Sequence, residues 1–279
     1  MRFLVGLDNR AGGRDALELT RVLASAGDSV LAVTVLYAGP LPLEYALLSE
    51  EEAEEAAPIF DQARAKLPDM EVETHAYGGG SPAAILTATA EREAVDAIVV
   101  GSPHRGPIGR VMIGSAATSL LNGAPADVAV APAGYAESEQ EAIREIAVGY
   151  DGSDEAKLAL RQAESLALRT NARIHLVTVV TMPIAATAMA PQGYQPQMPA
   201  DPERVILEGV HSIDDKLAAT GVRLDGDPAA ELLKKCEDGI DLLVLGSRGY
   251  GPMTRVLLGS VSHKLVQKAP CPVLVTSRP

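Results

Sequence analysis

The chain has 279 residues and a mass of 29.1 kDa, enough for one large domain or for two of about 140 residues. Hydrophobic residues make up 47% but aromatic residues only 3%, with no Trp, which is typical of parallel sheets covered by helices. The net charge of −13 and the pI near 4.8 argue against nucleic acid as a partner, because the chain would repel a phosphate backbone.

The two halves of the chain differ in net charge. Residues 1–140 hold 9 Lys and Arg against 20 Asp and Glu, a net charge of −11, whereas residues 141–279 hold 15 against 17, a net charge of −2. If one half binds an anion, we therefore expect it to be the second half.

The sequence starts with MRFLVGLD, which runs directly into a strand pattern and has no features of a secretory signal. No segment approaches the ~20 apolar residues that a membrane helix needs. Cys236 and Cys271 are too few for a disulfide framework and form no CxxC motif, so we expect both to be buried small side chains. These observations predict a cytoplasmic protein with no membrane partner.

The predicted elements recur twice along the chain, in the same order. A strand that stops at an aspartate is followed by a polar turn, a helix and a second strand. After a variable segment and a further helix come a helix that starts with proline, a fourth strand, a glycine-rich loop, a helix and a last strand. In the first copy these predictions cover 3–8, 15–24, 31–37, 80–86, 96–101 and 126–132; in the second, 146–151, 155–168, 174–180, 226–232, 241–246 and 271–277.

The duplication is clear in the last third of each copy. Residues 101–132 and 246–277 align without a gap and share 13 of 32 residues. Alternating strands and helices indicate right-handed crossovers and an open, doubly wound parallel sheet in each copy. We therefore predict an α/β fold with two domains, residues 1–135 and 143–279, joined by the short polar linker 133–142, with ligands at the carboxyl ends of the strands.

The copies differ most after their second strands. In the first copy, residues 39–58 contain an acidic run that favours a solvated helix face. In the second, residues 182–203 hold five prolines and three methionines. That segment is consistent with a loose surface loop or with a flap over a ligand.

The stretch GSRGYGPMTRVLLGS at 246–260 is the main candidate site. A strand that ends in glycine before a helix presents bare backbone amides, and the helix start adds partial positive charge, so the pattern can cradle a phosphate. Alternatively, the glycines serve only to make tight turns. Ser260 could bind an anion or cap its helix. Neither a Walker A lysine nor a GxGxxG pattern after the first strand is present.

The spacing of Gly246, Gly249, Gly259 and Ser260, after DLLVLG and before APCPVLVT, resembles the signature of the universal stress protein family in its ATP-binding branch. The resemblance covers both halves, so the chain resembles a tandem member. It implies five parallel strands per repeat in the order 3-2-1-4-5, ATP as the ligand with or without Mg²⁺, and repeats that pair through their last strands as an internal pseudo-dimer. Two chains could pair again as a homodimer.

Carried over by position, the resemblance assigns a complete site to the second repeat. Asp151 would lie beside the nucleoside; the alternative is a structural acceptor for the turn amides of Ser153 and Asp154. The residues assigned to the site are Gly149, Tyr150, Asp151, Val179, Leu245, Gly246, Arg248, Gly249, Gly259, Ser260, Val261 and Ser262.

The first repeat departs from the pattern. His104 stands at the position of the second glycine, and Ala117 at that of Ser262. We therefore expect nucleotide binding there to be weaker or absent. The residues of this weaker second site are Asp8, Val35, Gly101, His104, Gly114 and Ser115.

The sequence favours binding over catalysis, because the five histidines show no ligand spacing and no nucleophile and base stand in a recognisable pattern. The leading hypothesis is a stress-response protein that binds adenine nucleotide and changes its shape or its partner in response. The alternatives are a structural or interaction protein that holds no nucleotide, and a slow ATPase.

Overall fold

The computed structural model describes residues 1–37, 46–49, 51–102, 114–138, 140–181, 201–247 and 259–277. Its strands are β1 (Arg2–Leu7), β2 (Ser29–Tyr37), β3 (Ala46–Leu47), β4 (Glu71–Gly78), β5 (Ala97–Gly101), β6 (Asp127–Ala131), β7 (Glu145–Gly149), β8 (Arg173–Val180), β9 (Ala219–Asp225), β10 (Leu242–Gly246) and β11 (Val273–Thr276). Its α-helices are α1 (Ala11–Leu23), α2 (Ala57–Lys66), α3 (Pro82–Glu93), α4 (Ser115–Leu120), α5 (Asp154–Thr170), α6 (Pro202–Ser212), α7 (Pro228–Glu237) and α8 (Ser260–Lys268).

The described strands form one sheet in the order β3-β4-β2-β1-β5-β6-β11-β10-β7-β8-β9. Within each repeat the five long strands are parallel and lie in the order third, second, first, fourth, fifth. Among the described strands, only the two-residue β3 departs from this layout, since it pairs antiparallel with β4. The α/β class and the two-repeat organisation predicted from the sequence are confirmed.

Side chains alternate between the two faces of the sheet, and each face is covered by helices. In β1, Phe3 and Val5 belong to one buried cluster and Leu4 to the other. The first cluster takes in residues of α1, α2 and α5, and the second takes in residues of α3, α4, α7 and α8. Each cluster extends through both repeats, so the two domains share their hydrophobic core.

The two repeats are joined by antiparallel pairing of β6 with β11. Val130 pairs with Val273, Ala129 with Leu274 and Val128 with Val275, and all of these side chains are buried. The pairing covers two apolar edges that would otherwise be exposed to solvent and to other chains.

The linker is bound to the first repeat and not free in solution. Residues Tyr135–Glu137 form a 3₁₀ turn, and the Tyr135 ring is buried. The buried carboxylate of Asp15 in α1 accepts hydrogen bonds from the amides of Gly134 and Ala136, at 3.0 and 2.9 Å. The polar composition of 133–142 did not predict this attachment.

Several predicted boundaries are wrong. Helix α1 begins at Ala11 and not at Asp15. The acidic run does not form an α-helix face, because residues 51–53 form a turn and Glu54–Ala56 form a 3₁₀ turn.

The sequence did not predict the third strand of either repeat, β4 or β9. Both are at or next to a sheet edge and expose many of their side chains, so neither has the apolar run that marks the central strands.

Both cysteines are buried, as predicted. Among the described helices, none combines the length and the apolar character needed to cross a lipid bilayer. The segment 182–200, which contains most of the proposed loop or flap, lies outside the described residues.

Asp127 at the start of β6 should make stability depend on pH. It is buried and accepts hydrogen bonds from the amide and hydroxyl of Ser277, at 2.8 and 3.1 Å. Burial is the largest influence on this carboxyl and raises its pKa from 3.8 to about 6. The folded state therefore binds the proton more tightly, and the free energy of unfolding should fall as pH rises from about 4 to about 6, by ~3 kcal/mol.

We expect Asp127→Asn to remove this part of the pH dependence, because the amide has no proton to lose in that range and still accepts from Ser277. Urea unfolding of both proteins at several values between roughly pH 4 and pH 7 measures the difference. The variant should be the more stable protein near pH 7. Parallel stability curves for the two proteins would contradict the assignment.

Candidate nucleotide site

The second repeat holds a cavity of about 610 Å³ at the carboxyl ends of β7, β8 and β10. This is where the strand order reverses, since β8 lies on one side of β7 and β10 on the other. The residues that line it are Gly149, Tyr150, Asp151, Ser153, Glu155, Ala156, Val177, Val179, Pro228, Leu232, Leu245, Gly246, Ser247, Val261 and Ser262.

Most of the sequence-predicted site residues come together at this cavity. The structure brings together Gly149, Tyr150, Asp151, Val179, Leu245, Gly246, Val261 and Ser262. Gly259 and Ser260 lie at the start of α8 and are not among the lining residues. Arg248 and Gly249 lie outside the described residues.

Seven lining residues were not predicted, and Ser247 is the most informative of them. The residue is 1% exposed and lines the cavity, and its hydroxyl has no hydrogen-bond partner among the described residues. A buried hydroxyl without a partner is costly, so it marks a position where a polar ligand atom would be stabilised. The signal in the sequence was the repeated Gly-Ser pair at 101–102 and 246–247.

Gly246 has a structural role that does not depend on a ligand. A Cβ atom at this position would lie 2.6 Å from the backbone oxygen of Glu155 in the first turn of α5. The glycine therefore lets helix α5 approach the end of β10. The alternative that these glycines serve the fold is thus supported at Gly246.

Helix α8 presents its first turn without a side-chain cap. Gly259 is the N-cap residue, with extended backbone, and it has no side chain that could accept a hydrogen bond from the following amides. The alternative in which Ser260 caps the helix is therefore wrong. Ser260 is exposed, whereas Ser262 is buried and faces the cavity.

Asp151 organises the turn between β7 and α5. Its carboxylate accepts a hydrogen bond from the amide of Ser153 at 3.0 Å, which is the structural role considered for it, and Gly152 between them has a φ of +79°. The hydroxyl of Ser153 in turn accepts from the amide of Ala156 at 3.2 Å and caps α5. These two hydrogen bonds stabilise the turn, and the exposed carboxylate of Asp151 lies at the cavity edge.

Tyr150 contributes to the cavity from a buried position. Its backbone oxygen accepts a hydrogen bond from the hydroxyl of Thr178 at 2.6 Å. Its ring contacts Gly209 of α6, where a Cβ atom would lie 2.8 Å from the ring. Burial raises the pKa of the phenol above its ordinary value, so Tyr150 stays neutral.

The first repeat has an equivalent cavity of about 520 Å³. The predicted residues of the weaker site that line it are Asp8, Val35, Gly101, Gly114 and Ser115, whereas His104 lies outside the described residues. The Asp8 carboxylate accepts hydrogen bonds from the amides of Arg10 and Gly13, at 3.1 and 3.0 Å. The cavity itself is therefore retained in both repeats.

The cavities differ in the groups that face them. Helix α4 has six residues, against nine in α8, and Ala117 replaces the hydroxyl of Ser262. A shorter helix has a weaker dipole, and the loss of a hydroxyl removes one donor. In the opposite direction, the first cavity is lined by Arg10, where the second has Ser153.

The described residues offer no cluster of three or more His, Cys, Asp or Glu side chains that could hold a metal ion. His175 is in a cross-strand network instead. Its Nε2 lies 2.6 Å from a carboxylate oxygen of Glu145, and its Nδ1 lies 2.9 Å from the hydroxyl of Thr220. This histidine connects β7, β8 and β9 and is not among the residues that line the cavity.

Comparison with known proteins agrees with the duplication. The model of the universal stress protein family matches residues 1–132 and 142–277. A universal stress protein of Mycolicibacterium smegmatis is 29% identical over 287 residues, covering 98% of this chain and 95% of its own. A universal stress protein crystal structure from Archaeoglobus fulgidus covers 100% of this chain and 98% of its own, with a TM-score of 0.70 and 20% identity.

One solved structure of a universal stress protein contains a nucleotide. A crystal structure of one universal stress protein is a complex with cAMP; it is 23% identical, covers 48% of this chain and 97% of its own, and has a TM-score of 0.38.

The close approach at Gly246 gives a testable prediction. We expect Gly246→Ala to lower the free energy of unfolding by about 1–3 kcal/mol, because the new methyl group meets backbone atoms that cannot move aside easily. Gly123→Ala is the matched control, since its Cβ would have only the oxygen of Ser119 nearby, at 3.9 Å. Urea unfolding without ligand measures both, and equal effects would contradict the structural role.

Proposed function

The chain belongs to the universal stress protein family, and on that premise we propose that its second repeat binds an adenine nucleotide, with ATP as the expected ligand. Binding would change the shape of the protein or its choice of partner. The observation that carries this proposal is the 610 Å³ cavity, which includes the start of a helix with a glycine N-cap and a buried hydroxyl that has no partner among the described residues.

The cavity has the size and composition of a small-molecule site. Its volume falls within the ~300–1,000 Å³ of ordinary ligand pockets, and apolar walls from Val177, Val179 and Leu232 are combined with a few polar groups. The polar groups include Ser247 and Ser262, which are both buried. A flat apolar base would pack against the valines, while hydroxyls and phosphates would find donors on the opposite side.

We assign the phosphates to the start of α8. The N-cap residue of this helix is a glycine and supplies no side-chain acceptor to the first-turn amides, and the dipole of the helix adds partial positive charge there. Gly259, Ser260, Val261 and Ser262 would contribute this side of the site. Arg248 and Gly249, which follow β10, belong to the same proposal on the family motif alone.

The nucleoside is assigned to the ends of β7 and β8. Gly149, Tyr150 and Val179 would lie along the base, with Leu245 and Gly246 below it. Asp151 would lie beside the ribose, since an exposed carboxylate at the cavity edge can accept hydrogen bonds from sugar hydroxyls. Asp151 and Glu155 also offer carboxylate oxygens, the ligand type that Mg²⁺ prefers, so ATP with Mg²⁺ is included.

The same features indicate which repeat binds nucleotide more tightly. The shorter helix α4 and the missing hydroxyl at Ala117 favour weaker binding in the first repeat, and Arg10 acts in the opposite direction. We retain the division into 1–135 and 143–279, a homodimer and a cytoplasmic location as further proposals from the sequence.

Substitutions at equivalent positions in the two cavities show which repeat binds ATP more tightly. We expect Val179→Trp to fill the second cavity and to weaken ATP binding by at least tenfold, whereas the matched Val35→Trp should leave the tighter site unchanged. Isothermal titration with Mg-ATP measures both, after thermal unfolding has confirmed that each variant folds. Two equal sites in the unsubstituted protein would contradict the ranking, and loss of binding only with Val35→Trp would reverse it.

The competing hypotheses predict different results in simple assays. A structural protein would be purified without nucleotide and would give no heat with ATP, ADP or cAMP. A slow ATPase would release ADP, and Asp151→Ala should abolish that release if the carboxylate takes part. Mass spectrometry of nucleotide released by denaturing the purified protein decides between binding and no binding.

A further inference from the structure

Helix α6 packs directly against residues that form one side of the second cavity. A Cβ atom on Gly209 would lie 2.8 Å from Cε1 and 3.1 Å from Cζ of the Tyr150 ring. One turn earlier on the same face of the helix, Val205 packs against Gly152, where a Cβ atom would lie 3.0 Å from Cγ1 of Val205. Tyr150 lines the cavity, and so does Asp151, which precedes Gly152. The helix therefore supports this side of the cavity from outside, although no residue of α6 is among those that line it.

The attachment of α6 to the rest of the protein is close but small. A neighbouring face of the helix packs on β9, where a Cβ atom on Gly221 would lie 2.1 Å from Ile206 and 3.1 Å from Val210. Gly209 is the one residue of α6 that is buried, whereas α5 buries six of its residues. An element with few buried residues opens at a low cost in free energy. Helix α6 can therefore move away from the cavity while the sheet stays intact.

These glycine contacts are specific to the second repeat. The alignment of residues 3–9 with residues 146–152 places Leu7 opposite Tyr150 and Asn9 opposite Gly152. The counterpart of α6 in the first repeat is α2, which contains no glycine. The close approach of a helix backbone to an aromatic ring of the cavity is therefore an addition to the shared fold, and it occurs in the repeat to which we assign the tighter site.

On the basis of the nucleotide site proposed above, we propose that α6 is the element that responds to nucleotide, and that Tyr150 connects it to the site. A ligand that packs against Tyr150 from the cavity holds the ring against Gly209 and keeps α6 docked. Conversely, a change that lifts α6 removes the support of the ring and lowers the affinity for nucleotide. Because binding and docking are linked equilibria, the two effects are equal in free energy. Tyr150 is thus a positioning residue for the site as well as part of its wall.

The substitution Gly209→Ala tests this connection at a residue that does not line the cavity. The new methyl group must displace the ring or the helix, so we expect Mg-ATP to bind about fivefold more weakly or worse in isothermal titration. Alanine favours a helix more than glycine does, so weaker binding would not arise from loss of helical structure. Leu207→Ala is the matched control on the same helix, because Leu207 is exposed, and it should leave the affinity unchanged.

A double-mutant cycle shows whether the ring carries the effect. Tyr150→Leu copies Leu7 of the first repeat and removes the atoms that Gly209 contacts. In that background, the addition of Gly209→Ala should change the affinity for Mg-ATP by less than about twofold. Unchanged affinity in Gly209→Ala alone, or the same loss with and without the ring, would overturn the proposal.

Hydrogen exchange of the unsubstituted full chain supplies an independent measurement. With saturating Mg-ATP, the amides of α6 should exchange about fivefold more slowly or less than without nucleotide. Val179→Trp, which fills the second cavity, should remove this protection, whereas Val35→Trp should retain it.

The results separate the response from the site itself. Binding of ATP with unchanged exchange in α6 would overturn the role of α6 and leave the nucleotide site standing. No heat with ATP, ADP or cAMP in the unsubstituted protein would overturn the site, and the response of α6 with it.

Discussion

The antiparallel pairing of β6 with β11 is the interaction on which the rest of the structure depends. It joins two parallel sheets into one and closes both cores, since each buried cluster continues across it. Because the strands of one repeat run opposite to those of the other, the carboxyl ends of their strands lie at opposite edges of the common sheet. The two cavities are therefore separate, and communication between them must pass through the shared core and not through a shared ligand.

The contacts around this pairing are not symmetric, although the sequence is duplicated. Arg169 of α5 forms an ion pair with the buried carboxylate of Asp28 in the first repeat. Gln140 donates to Asp241 at 2.9 Å, while Asp127 accepts from Ser277. Positions 127 and 272 are equivalent, yet one is Asp and the other Pro. Each repeat thus stabilises the other through different polar groups, and both cysteines of the chain lie in the second repeat. Divergence at the junction and at the sites has made two copies of one fold unequal.

The sequence predicted the elements that carry a strong apolar signal and missed those that do not. Central strands such as β5 and β10 are buried on both faces, so an unbroken apolar run identified them. The strands β4 and β9 have mixed exposure, and their alternation of apolar and polar residues was too weak to identify them.

The predicted site residues lie together in the structure because the carboxyl ends of parallel strands lie at one edge of the sheet. Ser247 was overlooked because its meaning lies in the absence of a hydrogen-bond partner, which only coordinates reveal. The attachment of the linker by Asp15 was missed for a similar reason, since a polar segment gives no sign of the buried acceptor that holds it.

The sequence by itself determined the duplication, the α/β class and the edge of the sheet where a ligand would enter, because these follow from local periodicity and from glycines at strand ends. Tertiary structure decided which distant groups meet. Gly246 proved to be required by the approach of α5, the cap of α8 proved to be Gly259, and Asp15 proved to bind the linker. The physical reason is that local preferences act over a few residues, whereas such contacts depend on how helices pack across a sheet that is complete only when both repeats have folded.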